Sequence, residues 1–216
     1  MGDDYFDDED KLRLVTELVE CCMVEDKYTH YLVYPFEIKP RDFLQYAQSD
    51  FEASYDHHLV NCFSNIKRAI ECQIDSLLIY TNLYEIAKKK RMGFPTKIKY
   101  LNEMGIVSPN ILAKINKTRN KLEHEFKLPT LEDVENALDV AYLFIEYTDH
   151  YVLNGLYFCS FDNPDEGTYC IMQLDFDNKT LKIDFDISDE PGFYHVIEAN
   201  LDYYIKFMKA FLSLNK

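Results

Sequence analysis

Several features that assign chains to well-known protein classes are missing from these 216 residues. No apolar run approaches the roughly 18 residues that a membrane-spanning helix needs. Residues 1–10, MGDDYFDDED, have neither a positive region nor an apolar core, so we expect no secretory signal. No phosphate-binding loop, Rossmann fingerprint or GxSxG turn occurs. These absences argue against a helical membrane protein, a P-loop or dinucleotide-binding enzyme and an α/β-hydrolase.

The six cysteines lack the close pairing that zinc sites and redox motifs require. None belongs to a CxxC pair, and most lie among apolar residues. Such positions favour buried, reduced thiols, which are typical of a cytoplasmic protein. The adjacent His57 and His58 point to different faces and have no cysteine or carboxylate pattern beside them. We therefore expect neither a metal nor another cofactor.

Positive charge is scarce, because 23 lysines and arginines face 38 aspartates and glutamates, for a net charge of −15. This balance argues against a general nucleic-acid binder. Residues 86–127 are the exception, with 11 basic and 3 acidic residues. We call them the basic block. Solvated helix faces that balance acidic neighbours are one interpretation, and a local phosphate-binding surface with acidic flanks is the other.

Hydrophobic periodicity predicts helices over most of the chain, the longest at residues 56–87. After residue 155 the apolar residues alternate with polar ones around residues 181–187, which is typical of a half-buried hairpin. The fold class predicted is mainly α, an up-and-down helical bundle with a small C-terminal β-hairpin-plus-helix extension, α+β overall. The predicted regions are an acidic segment with one helix and an extended stretch (1–39), the bundle (40–155) and the extension (156–216).

The end of the basic block reads NKTRNKLEHEF, residues 116–126. At 100° per residue Leu122 and Phe126 belong to the buried stripe of a helix. Asn120 and His124 form an i,i+4 pair that points away from that stripe. An exposed helix face without function is one interpretation of this pattern, and a site that faces a partner molecule is the other.

The residue types on this face suit the cleavage of RNA without a metal. Histidine side chains titrate near neutrality, so His124 could move a proton during attack by a ribose 2′-hydroxyl. Arg119 offers a planar set of donors to a phosphate and its transition-state charge. Asn120 can hold the imidazole or a phosphate oxygen. Lys117 and Lys121 lie on the same outer side and would bind phosphate nearby.

The run RNKLEH, residues 119–124, resembles the R-x(4–6)-H motif of the HEPN superfamily, in which a polar residue follows the arginine as Asn120 does here. The stretch LVNCFSNIKRAIECQIDSLL also resembles the first long helix of HEPN-type proteins. The order of long helix, basic loop, short helix, motif helix and second long helix fits as well. The resemblance covers about residues 40–152.

The resemblance implies a HEPN-like bundle that forms a homodimer through the motif-bearing helix. It also implies a metal-independent endoribonuclease of the toxin–antitoxin or antiviral defence kind. Arg119 and His124 would then be the catalytic pair and Asn120 their supporting residue. Phe126 stands where one toxin branch has tyrosine, which argues against control through modification of that tyrosine.

A non-catalytic HEPN-like module, which binds protein or RNA within a larger defence or regulatory complex, is the alternative. Lys88, Lys89, Lys90 and Arg91 are further candidates for phosphate binding, although such a cluster can equally complement the dipole at a helix C-terminus. The expected partners are RNA, a second copy of the chain, and an antitoxin or defence-complex subunit. No membrane is expected among them.

Overall fold

The computed structural model describes residues 6–21, 24–30, 33–107, 128–163, 167–187, 190–199 and 202–214. The helices in these ranges are α1 (Asp8–Cys21), α2 (Pro40–Phe51), α3 (His58–Tyr80), α4 (Tyr84–Lys89), α5 (Phe94–Glu103), α6 (Leu131–Leu153) and α7 (Asp202–Ser213). The strands are β1 (Val24–His30), β2 (Gly155–Asn163), β3 (Thr168–Asp175), β4 (Thr180–Ile187) and β5 (Glu190–Glu198). No helix within the described ranges is both long and apolar enough to cross a membrane.

The five strands form one antiparallel sheet in the order β1-β2-β3-β4-β5. The prediction of a mainly α bundle with only a β-hairpin was therefore wrong, and the fold is α+β. Residue patterning predicts strands at 156–161, 168–176 and 181–187, close to β2, β3 and β4, so β1 and β5 were missed. Strand β1 has no alternating pattern because six of its seven residues are exposed. The apolar spacing over residues 193–214 predicts a helix throughout, whereas residues 190–198 form β5 through their pairing with β4.

The long helix expected over residues 56–87 is interrupted after Tyr80. Asn82 adopts a left-handed conformation (φ +60°), and the backbone N–H of Leu83 returns to the carbonyl of Leu78 at 2.7 Å. This geometry ends a helix, and asparagine tolerates it better than most residues. The Asn82 side chain also donates to the backbone oxygen of Asp175 at 3.1 Å, which fixes the break against strand β3.

One continuous apolar core joins the helices to the sheet. The hydroxyl of buried Tyr80 on α3 donates to the Leu156 carbonyl on β2 at 2.9 Å. The hydroxyl of buried Tyr204 on α7 donates to the Thr81 carbonyl at 2.9 Å. These two tyrosines satisfy polar backbone groups inside the core, so they connect the layers as well as filling space.

Three of the four cysteines whose side chains are described, Cys62, Cys159 and Cys170, lie fully buried. Burial raises the pKa of the Cys62 and Cys159 thiols to about 12. Because the thiolate is the reactive form, these two side chains are inert near neutral pH.

Asp175 organises the turn between β3 and β4. Its carboxylate accepts the backbone N–H of Asn178 at 2.8 Å and lies 2.7 Å from the Lys182 ammonium. The backbone hydrogen bond and then the contact with Lys182 hold the pKa of Asp175 well below its usual range. The ionised form thus stabilises the fold at pH values above the unfolded-state pKa of about 4, and this contribution is lost as the pH falls below it.

We accordingly expect Asp175→Asn to lower the free energy of unfolding by about 1–2 kcal/mol at pH 7. The difference between wild type and variant should shrink as the pH falls below about 4, because the unfolded wild type then takes up a proton that the folded form, with its lowered Asp175 pKa, resists. Urea denaturation at neutral and acidic pH measures this difference. A difference that stays constant across the acidic range would show that the charge of Asp175 is not the stabilising element.

Candidate nucleic-acid interface

The predicted catalytic residues lie outside the described residues. Arg119, Asn120 and His124, together with Lys117 and Lys121, belong to the segment 108–127. Their roles accordingly stay predictions. The structure describes the residues that flank this segment on either side.

Both ends of the segment are anchored in the helical part of the chain. After α5, Gly105 takes a left-handed conformation (φ +79°), and Ile106 donates its backbone N–H to the Leu101 carbonyl at 2.9 Å. Ile106 is buried, so the chain enters the segment from the core. On the other side Thr130 caps α6, accepting the backbone N–H of Asp133 at 3.1 Å. Every described element between residues 40 and 153 is a helix.

The predicted phosphate-binding run 88–91 lies at the end of α4, and all four of its side chains are exposed. Arg91 has a φ of +50°, and its backbone N–H donates to the Lys88 carbonyl at 3.0 Å. The Lys88 ammonium lies 5.2 Å from the centre of the Tyr84 ring. The run forms a turn that presents several cations to solvent within a short stretch of chain.

A cavity of about 760 Å³ opens beside this turn, between α1, α4, α5 and α7. Its apolar wall includes Leu12 and Val19 from α1, Met92, and Ile205 and Ala210 from α7. We call it the lysine-rimmed cavity, because four lysines line it. These are Lys90, Lys99, Lys206 and Lys209.

The rim of the lysine-rimmed cavity is positive in a chain whose net charge is −15. Two glutamates, Glu20 and Glu103, are the acidic residues among its described lining. Glu103 lies 3.7 Å from the Lys99 ammonium on the same helix. The Lys206 ammonium lies 4.9 Å from the Tyr203 ring centre. Among the described lining residues the four exposed lysines therefore outnumber the two carboxylates.

This arrangement can bind an anion that also carries an apolar or aromatic part. Lysine ammonium groups attract phosphates over a range set by the ionic strength, and an apolar wall accommodates a base or another flat group. Among the described residues that line the cavity there is no histidine. The cavity thus offers binding, and a proton-transferring group near neutral pH would have to come from outside this lining.

The sequence pointed to Lys90 but missed Lys99, Lys206 and Lys209. Lys206 and Lys209 stand three residues apart on α7, a spacing that places both on one side of a helix. That local signal was present. The sequence does not indicate that α7 lies beside α4 and α5, which are about a hundred residues away along the chain.

Comparisons of the chain with protein-family models, with curated proteins and with solved structures give no match.

Proposed function

We propose that this protein is a metal-independent endoribonuclease. The observation that carries the proposal is the RNKLEH motif at residues 119–124, inside the one basic block of an acidic chain. Support comes from the lysine-rimmed cavity and the exposed run 88–91, which extend the basic surface beyond the block to α7. The resemblance of the motif to HEPN ribonucleases points in the same direction.

In the proposed reaction the ribose 2′-hydroxyl attacks the adjacent phosphorus. His124 accepts the hydroxyl proton, and Arg119 stabilises the charge that develops on the phosphoryl oxygens. The bond to the 5′-oxygen of the next nucleotide breaks, and that oxygen takes up a proton. The products are a 2′,3′-cyclic phosphate and a free 5′-hydroxyl. Asn120 orients the histidine or a phosphate oxygen.

Lysines at the cavity rim bind the flanking phosphates in this proposal. Point charges on flexible side chains position a phosphate backbone without reading its sequence. The acidic remainder of the chain repels nucleic acid elsewhere, which confines binding to the basic surface.

We further propose that the protein acts in the cytoplasm as a homodimer, as a toxin or an antiviral defence effector. The buried cysteines suit a reducing compartment. The dimer, the antitoxin or defence-complex partner and the biological role are drawn from the family resemblance.

Incubation of the purified protein with a single-stranded RNA in EDTA tests the function. We expect cleavage of the RNA, no cleavage of its 2′-O-methyl counterpart and products that end in a 2′,3′-cyclic phosphate. Equal cleavage of both oligonucleotides would overturn the mechanism. Binding of RNA without cleavage would support the non-catalytic alternative. The lysine-rimmed cavity, whose described lining has no histidine, would then serve as a binding site alone.

Removal of two cavity lysines should weaken RNA binding. The double variant Lys206→Gln/Lys209→Gln is expected to bind single-stranded RNA about tenfold more weakly at low salt, and to lower the salt slope of the binding constant by about 1.4. The matched control is Arg68→Gln/Lys179→Gln, which removes two exposed cations elsewhere. Fluorescence anisotropy across a salt series measures both quantities. Equal losses in the two double variants would place the RNA elsewhere.

A further inference from the structure

One face of the β-sheet has exposed side chains on all five strands. On the other face His195 lies 3.3 Å from the Asp8 carboxylate of α1, and its ring lies 5.9 Å from that of Phe207 on α7. Helices α1 and α7 therefore cover that side. Because side chains alternate along a strand, the neighbours of His195, Tyr194 and Val196, point to the opposite side, which we call the open face. Both are exposed.

The strand register places aromatic residues across the whole open face. Tyr28 on β1 pairs with Phe158 on β2, and their ring centres are 5.3 Å apart. Tyr169 on β3 and Tyr194 on β5 belong to the same face. Three of these rings are substantially exposed, Tyr28 at 51%, Tyr169 at 38% and Tyr194 at 53%. Exposed aromatic side chains on three strands of one sheet face are unusual unless they contact something.

Carboxylates surround these rings. Asp162 on β2 and Asp186 on β4 are the direct cross-strand neighbours of Tyr169. Asp184 is the cross-strand neighbour of Tyr194, and Asp26 lies in the same row on β1. All four carboxylates are exposed. The pKa of Tyr169 is raised, first by partial burial and then by nearby carboxylates that include Asp184 and Asp26, which agrees with this placement.

Positive charge on the open face is already neutralised. Among the described residues of this face Lys182 is the cation, and its ammonium lies 2.7 Å from the Asp175 carboxylate. The face thus combines aromatic rings with four aspartates, Asp26, Asp162, Asp184 and Asp186, that form no ion pair with any other described residue. Tyrosine rings attract ammonium and guanidinium groups over their faces, and carboxylates pair with the same groups.

We propose that the open face binds a basic polypeptide segment of another protein, whose arginine or lysine side chains pair with the aspartates and stack on the tyrosines. The charge selects this occupant. RNA and anionic membrane surfaces would be repelled. A second copy that presented the same face would place aspartates against aspartates, which is unfavourable in a two-fold interface.

Binding of a fluorescein-labelled peptide of alternating arginine and glycine to the full chain tests this proposal, with a glutamate–glycine peptide beside it. We expect the basic peptide to bind at about 0.15 M salt and the acidic one not to bind. The triple variant Asp26→Asn/Asp162→Asn/Asp184→Asn should weaken binding at least about tenfold. Tyr194→Ser should weaken it about threefold without any change of charge.

A matched control separates a built surface from general attraction to an acidic protein. The triple variant Glu132→Gln/Glu135→Gln/Asp139→Asn removes three exposed carboxylates from α6 and should change the affinity less than about twofold. Equal losses in the two triple variants would overturn the proposal, as would the absence of peptide binding to the wild type. Self-association of the wild type through the open face would overturn the proposal, because the occupant would then be a second copy of the chain. RNA binding that becomes stronger in the triple variant Asp26→Asn/Asp162→Asn/Asp184→Asn would overturn it as well, because the occupant would then be RNA.

Discussion

Asp149→Ala is expected to lower the free energy of unfolding by about 3 kcal/mol. Asp149 is 6% exposed on α6, and its carboxylate is shared by three other parts of the chain. Tyr34 donates its hydroxyl to Asp149 Oδ1, Arg41 Nε of α2 lies 2.8 Å from Oδ2, and Gln73 Nε2 of α3 lies 3.2 Å from Oδ1. Alanine would remove the acceptor that the three donors share inside the helical layer. Gln73 Nε2 would keep only its hydrogen bond to Thr148 Oγ1, and Arg41 only its pair with the exposed Glu146.

The same network supplies a matched control. Glu146 also pairs with Arg41, at 2.7 Å, but its side chain is 73% exposed. Glu146→Ala should therefore cost less than about 1 kcal/mol, because water replaces an exposed partner. Urea denaturation of both variants measures the difference. A loss of stability in Asp149→Ala no larger than that in Glu146→Ala would contradict the view that Asp149 holds α2, α3 and α6 together.

Gly155→Ala is the second substitution for which we expect a large effect, a loss of about 3 kcal/mol. Gly155 begins β2 directly after α6. A Cβ atom there would lie 2.3 Å from the Tyr151 carbonyl oxygen and 2.3 Å from Cε2 of Tyr80. The Tyr80 ring is fully buried and held by its hydrogen bond to Leu156, so it has little room to move. The close approach of helix and strand thus requires glycine.

Gly93→Ala is the control for this substitution. Its nearest contact would be Pro95 Cδ at 3.8 Å, which is ordinary packing. Gly93 is the N-cap residue of α5, a position at which alanine is less favourable than glycine. We therefore expect Gly93→Ala to lower the free energy of unfolding by less than about 1 kcal/mol. Thermal unfolding followed by circular dichroism compares the two variants. Similar melting temperatures for both would show that the helix–strand junction relaxes around the added methyl group.

Local signals were sufficient where neighbours along the chain determine the structure. Thr130 and Asp133 form a capping box at the start of α6, which the Thr-x-x-Asp spacing alone predicts, and Pro40 opens α2, as proline's preference for the first helical position predicts. The alternation around residues 181–187 correctly placed β4, since one side of that strand is buried. Each of these features depends on residues within a few positions of each other.

Where distant partners decide, the sequence was not enough. Strand β1 exists because it pairs with β2, whose residues lie about 130 positions later, and its own side chains are mostly exposed. The cavity lysines on α5 and α7 were missed for the same reason. The run 88–91 was found because four adjacent cations are visible without any knowledge of the fold. Long-range strand pairing and helix packing give no comparable signal in neighbouring residues of the sequence.

RNA cleavage in EDTA by wild type and His124→Ala, measured side by side, tests the proposed function most directly. His150→Ala, which removes an exposed histidine from α6, is the control. We expect His124→Ala to cleave about 10²–10⁴-fold more slowly, because the proton-transferring group is lost, while its unfolding curve matches the wild type. His150→Ala should retain the wild-type rate. Equal cleavage by wild type and His124→Ala would contradict the central claim that His124 performs the proton transfer.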